Sequence, residues 1–162
     1  MNENQKHFKE ILESFSTAML ITVGSNGKPH GRPMQVAHID DAQTVWFFTN
    51  LSSEKVGEIL DNSTVGITMQ GGGKFLSLYG TAKIENNQQV IDQLWTDTNK
   101  VWFPEGKDSP MVTLIAVDPS EGEYWDVSGL TGIQYLYEAG KAYFQETGID
   151  TQGLDVNEKV KL

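Results

Sequence analysis

Ser53, Lys55 and Arg32 are the residues of this chain whose types and surroundings suit the chemistry of an anion. An apolar strand, Trp46-Phe47-Phe48-Thr49, runs through the polar turn Asn50-Leu51-Ser52-Ser53 into a helix that opens with Glu54-Lys55. Free N–H groups at that helix start, an N-cap hydroxyl from Ser53 and the ammonium of Lys55 would converge on a phosphate. The same residues also fit an ordinary capped helix with a solvated lysine. Arg32, in Gly31-Arg32-Pro33-Met34-Gln35, lies in an otherwise neutral strand. There it either reaches solvent along its aliphatic stem or offers its planar fork to a phosphate or a polar ring edge. In Glu123-Tyr124-Trp125-Asp126 an aromatic pair ends a strand, which suits a core, an interface or a stacking site.

Other motifs that would dictate a chemistry are absent from the sequence: the Walker loop, GxGxxG, HExxH, the GxSxG elbow and the EF-hand. Gly71-Gly72-Gly73-Lys74 lies between two strands with no helix behind it, so it reads as a hairpin turn rather than a phosphate cradle. His7, His30 and His38 are not at helical ligand spacing, and no metal site is expected. The acidic residues Asp92, Asp97, Asp108, Glu121, Glu123 and Asp126 are scattered and single out no acid–base pair. No catalytic residue is identified.

These residues must be positioned by a mainly β chain. Phe8, Ile11, Leu12 and Phe15 fall at i, i+3, i+4, i+7 and predict an amphipathic helix covering one side of a sheet. Strands are predicted over 18–23 and 29–39, joined by the Asn26-Gly27 hairpin signal, then over 44–49, 64–69, 75–84, 111–117 and 123–127. Gly80 predicts a bulge or a close approach. Helices are predicted after Ser53 through Leu60, over 87–94, and more weakly through Ile133, Leu136, Tyr137 and Tyr143. Trp102 to Pro110, with two prolines and a glycine, reads as a loop. About six strands in hairpin order, with few helices, predict a small antiparallel barrel with peripheral α rather than a βαβ fold.

At 162 residues, with 38% hydrophobic residues and 10% aromatic, the chain suits one domain with a substantial core. That domain is expected over 1–145, with a polar C-terminal tail over 146–162. A formal net charge of −10 opposes a general nucleic-acid or anionic-membrane surface, so an anionic ligand needs a local positive pocket. Without cysteine there is no disulfide, thiolate nucleophile or cysteine metal site. The polar N-terminus and the lack of a long apolar run lead to the expectation of a soluble, cytoplasmic protein.

Taken in order, Arg32-Pro33-Met34, Trp46 to Thr49 with Ser53-Glu54-Lys55, Phe75 to Ala82, Leu94-Trp95, Trp102 to Gly106 and Glu123 to Asp126 form a recognisable set. From about Phe8 to Phe144 the chain resembles the general stress protein 26 branch of the pyridoxamine 5'-phosphate oxidase-like, FMN-binding split-barrel family. The resemblance implies a six-stranded antiparallel split β-barrel that forms a homodimer, with FMN in clefts at the subunit interface. It implies that Ser53 and Lys55 hold the FMN phosphate and that Arg32 stands at the flavin-binding strand. Backbone groups at Pro33, Met34, Phe48 and Thr49 would meet the isoalloxazine edge, and Lys74 and Phe75 would belong to a second cofactor-contacting strand. Trp125 would reach the cofactor from the partner subunit, and the Trp102-Phe103-Pro104 loop would line the same cleft.

Two positions depart from the oxidase proper. Glu54 replaces a basic residue before the lysine, and the segment after Trp125 lacks the oxidase's arginine and histidine substrate motif. The resemblance therefore implies an FMN-dependent oxidoreductase on a small molecule, with NAD(P)H as a candidate donor, ahead of pyridoxamine 5'-phosphate oxidation. The alternatives are a non-catalytic flavin- or haem-binding stress-protection protein and a barrel that has lost its cofactor.

Overall fold

The computed structural model describes residues 2–145 and 157–162. Helix α1 (Glu3–Glu13) opens with a capping box between Asn2 and Gln5 and buries Phe8, Ile11 and Leu12 completely. Strands β1 (Thr17–Val23) and β2 (Pro29–Gln35) form the hairpin that Asn26-Gly27 predicts, with Gly27 at φ +73°. The strand predicted over 29–39 is broken. Val36 N–H donates to Ser16 and Ala37 N–H to Trp46, which carries the chain from one edge of the sheet to the other, where β3 (His38–Ile39) pairs with β4 (Val45–Asn50).

After β4 come α2 (Glu54–Asp61), β5 (Thr64–Gly71), β6 (Lys74–Glu85), α3 (Gln88–Leu94), a 3₁₀ turn over Asp97–Val101, β7 (Val112–Asp126), α4 (Gly129–Gln145) and β8 (Asn157–Lys161). All strand pairs are antiparallel, in the order β2-β1-β5-β6-β7-β4-β3, with β8 added against β7. This curled antiparallel sheet is a split β-barrel. Among the described residues it has eight strands, close to the six expected, the short β3 and β8 being additional edge strands.

Two strands predicted over 111–117 and 123–127 are one, β7, which runs through Pro119. The proline is tolerated because it falls opposite Gly80, where the register slips; a Cβ at residue 80 would collide with the Asp118 carbonyl. The first half of β7 pairs with β4 and its second half with β8, so one long strand joins the two ends of the barrel. Part of the segment expected to be a polar tail, 157–161, is strand β8, and 146–156 lie outside the described residues.

Alternation along β4 divides the interior. Val45, Phe47 and Thr49 are buried on one face, where Phe47 joins the main core of Phe8, Leu20, Ile67, Leu76 and Ile115. Trp46 and Phe48 point the other way, into a smaller cluster with Ile91, Leu114, Trp95 and Phe103 beneath α3. Among the described residues no helix is long and apolar enough to cross a membrane.

Candidate functional site

The strand-to-helix junction after β4 gathers the cationic and hydroxyl groups named from the sequence. Ser53 is the residue before α2, in extended backbone conformation, yet its side chain makes no cap hydrogen bond. Its hydroxyl lies 3.2 Å from Thr49 Oγ1 instead, and Thr49 Oγ1 also accepts from Lys55 Nζ at 3.2 Å. The Ser53 N–H is used by Asn50 O and the Val56 N–H by Ser53 O. The N–H groups of Glu54 and Lys55, in the first turn, have no acceptor within the helix.

Lys55 is half-buried and forms no ion pair among the described residues. Burial, and then the nearby Arg32 guanidinium, hold its pKa below the ordinary lysine value, while Glu58 acts in the opposite sense. A desolvated ammonium and two hydroxyls thus meet at the start of a helix whose first-turn amides of Glu54 and Lys55 have no acceptor within it. That set of donors suits a phosphate monoester.

Arg32 neither reaches out to solvent nor is wholly free. Alternation along β2 places it on the same face as His30 and Met34, and pairing with β1 sets it opposite Leu20. Its Nη2 donates to Glu58 Oε2 at 2.7 Å and its Nη1 to Thr22 Oγ1 at 2.5 Å, and the Thr22 hydroxyl donates to the same Glu58 oxygen. His30 Nδ1 stands 3.1 Å from the other oxygen, Oε1. Glu58 is 9% exposed, and the Thr22 hydroxyl first, then His30 and Arg32, lower its pKa to about 2 against the cost of burial.

Sequence reasoning missed Glu58 and Thr22. Glu58 stands three residues after Lys55 on the same helix face and beside buried Ile59, so it reads as the solvated acid of an amphipathic helix. The signal that could have found it is Arg32 itself, since a withdrawn guanidinium needs a counter-ion.

Glu54 is exposed and turned toward this second group. Ligand atoms of His30, Glu54 and Glu58 all lie within 4.8 Å of one another, beside a cavity of about 450 Å³ that also touches Gly24, Lys28 and Asp61. Such a trio could hold a metal ion, but Arg32 and Thr22 already occupy one Glu58 oxygen, and a bound cation would sit beside the guanidinium. Glu54 therefore sits in the helix's first turn, where an acid suits the dipole.

The aromatic part lies on the other face of β4. Phe48 meets Trp95 edge to face at 5.5 Å and Phe103 at 6.3 Å. It lines a cleft of about 250 Å³ with Gln35, Val36, Ala37, Leu94 and Trp102. Trp102, 72% exposed, also borders a second cleft of about 310 Å³ with Phe103, Pro104 and Met111. Neighbouring Pro33 is exposed, and Met34 packs against the main core.

Lys74, Phe75 and Trp125 are not brought to this junction within one chain. Phe75 pairs with Trp125 and Lys74 with Asp126, at the end of β7 remote from Leu114, the partner of Phe48. Phe75 is 45% exposed, and Tyr79 and Met19 are exposed large hydrophobic residues as well.

The comparisons agree with this architecture. The family model for "pyridoxamine 5'-phosphate oxidase like" proteins matches residues 3–150. General stress protein 26 of Bacillus subtilis (strain 168) is 31% identical over 127 residues, covering 73% of this chain and 88% of that protein. The crystal structure of a protein from Clostridium acetobutylicum related to general stress protein 26 superposes with a TM-score of 0.68 at 26% identity, over 78% of this chain and 91% of that one. The pyridoxamine 5'-phosphate oxidase-related, FMN binding protein of Nostoc punctiforme PCC 73102 shares the fold, with a TM-score of 0.62 at 16% identity over 78% and 84% of the two chains. With a split barrel matched over nearly its whole length by one family model, the chain belongs to the pyridoxamine 5'-phosphate oxidase-like family, in the branch of general stress protein 26.

Proposed function

We propose that the protein is an FMN-binding flavoprotein of general stress protein 26 type that acts as an FMN-dependent oxidoreductase on a small molecule. The observation that supports this most is Lys55: a desolvated ammonium without an ion-pair partner among the described residues, directed at Thr49 beside the Ser53 hydroxyl and the amides of Glu54 and Lys55. These groups fit the phosphate of FMN. Lys55 supplies charge, Ser53 and the amides supply directed donors, and Arg32, paired with Glu58, stands near them on β2.

Phe48 and Thr49 are adjacent in sequence, so the cradle and the aromatic cleft share one strand. The backbone of Pro33, Met34, Phe48 and Thr49 would meet the edge of a flavin ring, and the Phe48, Trp95 and Phe103 cluster would support that strand from behind. Bound FMN would supply two-electron chemistry, taking a hydride from a donor such as NAD(P)H and passing it to an oxidised substrate. Excluding water, orienting the ring and balancing the phosphate charge are then the protein's own contributions.

Lys74, Phe75 and Trp125 enter this reading only through a second copy. The end of β6 that carries exposed Phe75, with Trp125 half-buried beside it on β7, would be covered in a homodimer and would bring them to the partner's cleft. The test is the visible spectrum of protein incubated with FMN and desalted, beside Lys55→Ala. Retained flavin that Lys55→Ala weakens at least tenfold, and that NAD(P)H bleaches, supports the oxidoreductase. Retained flavin that no nicotinamide reduces leaves a binding protein, and loss of flavin from both proteins rejects the reading.

A further inference from the structure

Arg32, near Lys55, already has an anion of its own. Its Nη2 is held by Glu58 Oε2 at 2.7 Å and its Nη1 by Thr22, while Thr22 closes the triangle onto the same carboxylate oxygen. Three groups on β1, β2 and α2 are thereby locked together. The arrangement differs from that of Lys55, whose neighbours are hydroxyls. Glu58 stands three residues after Lys55 on α2, on the same helix face, so the Arg32 it holds is a second cation near Lys55, and Glu58 offsets the repulsion between the two.

We propose that Glu58 is a positioning and specificity-determining residue of the anion cradle, an internal counter-ion that fixes Arg32 and limits how much negative charge the cradle accepts. The inference rests on the cradle being an anion site, as the FMN reading requires, but not on the ligand being a flavin. With Glu58 ionised, Arg32 and Glu58 cancel, so the cradle presents little more than the single charge of Lys55 plus amide donors. Removing the carboxylate charge while keeping an acceptor for Arg32 leaves both cations for the ligand.

The charged and titratable groups around Glu58 are Arg32 and His30 from β2, Lys55 and Glu54 from α2, and, around the adjoining cavity, Lys28 and Asp61. Arg32 is the charged group paired most closely with it. Glu58→Gln is therefore expected to act mainly through Arg32.

The experiment is calorimetric titration of the full chain with inorganic phosphate and, separately, with FMN, at low and high salt. Glu58→Gln should bind phosphate tighter than the original protein by on the order of tenfold, the scale of one partly screened charge a few ångströms away. The gain should shrink as salt rises. Arg32→Gln, which leaves Glu58 facing the cradle uncompensated, should weaken binding by a similar factor. The double variant Arg32→Gln/Glu58→Gln should recover much of that loss, and it contains no unpaired buried charge should Glu58→Gln alone fail to fold.

A structural role alone would not make removal of a second residue restore affinity. Equal or weaker phosphate binding by folded Glu58→Gln, or a double variant as weak as Arg32→Gln, would overturn the proposal, as would no phosphate binding by any of these proteins. Phosphate binding that follows the expected order in a protein that ignores FMN sustains this inference and rejects the flavin instead.

Discussion

Arg32 and Glu58 pair at 2.7 Å with side chains only 15% and 9% exposed, which makes this ion pair a determinant of acid stability. The Glu58 pKa, lowered to about 2 chiefly by the Thr22 hydroxyl and then by His30 and Arg32, lies below its ordinary value of 4.5. A depressed carboxylate binds protons more weakly folded than unfolded. Its contribution is fully present above about pH 4.5 and is lost as the pH falls toward 2, amounting to roughly 3 kcal/mol. Urea unfolding followed across that window should show this loss in the original protein and its absence in Arg32→Gln/Glu58→Gln; parallel pH profiles for the two would refute it.

Lys55 carries an expectation at the opposite end of the scale. Burial and Arg32 lower its pKa from the ordinary 10.5, so it sheds its proton at a lower pH than a solvated lysine. Only the ammonium attracts a phosphate, so FMN affinity should begin to fall at a pH below the usual lysine range and fall further as the pH rises. Lys55→Arg, which keeps its charge in that range, should bind with little pH dependence there. Fluorescence titration of FMN between pH 7 and 10 distinguishes the two; identical profiles would remove Lys55 from the phosphate site.

Much of this organisation is legible in the sequence because it is local. The Asn26-Gly27 turn and the strand, turn and helix from Trp46 to Leu60 are each set by neighbours along the chain, and Gly80 marks its bulge by residue type although the close approach comes from Asp118 on β7. Arg32 and Lys55 were also recognisable as a possible pair. What cannot be read locally is Glu58, whose meaning depends on Thr22 and His30 from other strands. The break at Val36-Ala37 is hidden for the same reason, since only the closing barrel supplies Ser16 and Trp46 as acceptors. Lys74 and Trp125 remain far from the cradle in one chain, whatever their local pattern suggests.

Gly122 is where α1 meets the barrel. A Cβ at this position would run into the ring of Phe8, which is fully buried and packed near Tyr124 with ring centroids 6.4 Å apart. Gly122→Ala must displace that ring or part α1 from β7, and overpacking of this kind costs about 1–3 kcal/mol. Thermal melts should show a lower midpoint. Phe8→Leu in the same background should recover part of it by making room; an unchanged midpoint in Gly122→Ala would mean that α1 is not held against β7 as described.

Trp102 offers a way to separate ligand contact from fold. It is 72% exposed, belongs to neither core cluster, and lies at the border of both aromatic clefts, whereas Trp95 packs against Phe48 and Phe103 at 5.5 and 6.2 Å. Truncating half-buried Trp95 removes packing from the strand that carries Thr49, so Trp95→Ala should lower the melting midpoint by the equivalent of about 1–3 kcal/mol, less than for a fully buried tryptophan, and weaken FMN binding indirectly. Trp102→Ala removes little packing and should leave the midpoint of the ligand-free protein within experimental error. Stacking on a flavin would nevertheless make Trp102 contribute to affinity, so this variant should bind FMN several-fold more weakly while inorganic phosphate binds as before. Loss of phosphate binding as well would place Trp102 in the support of the cradle rather than beside the ring, and unaltered FMN affinity would remove its loop from the cleft.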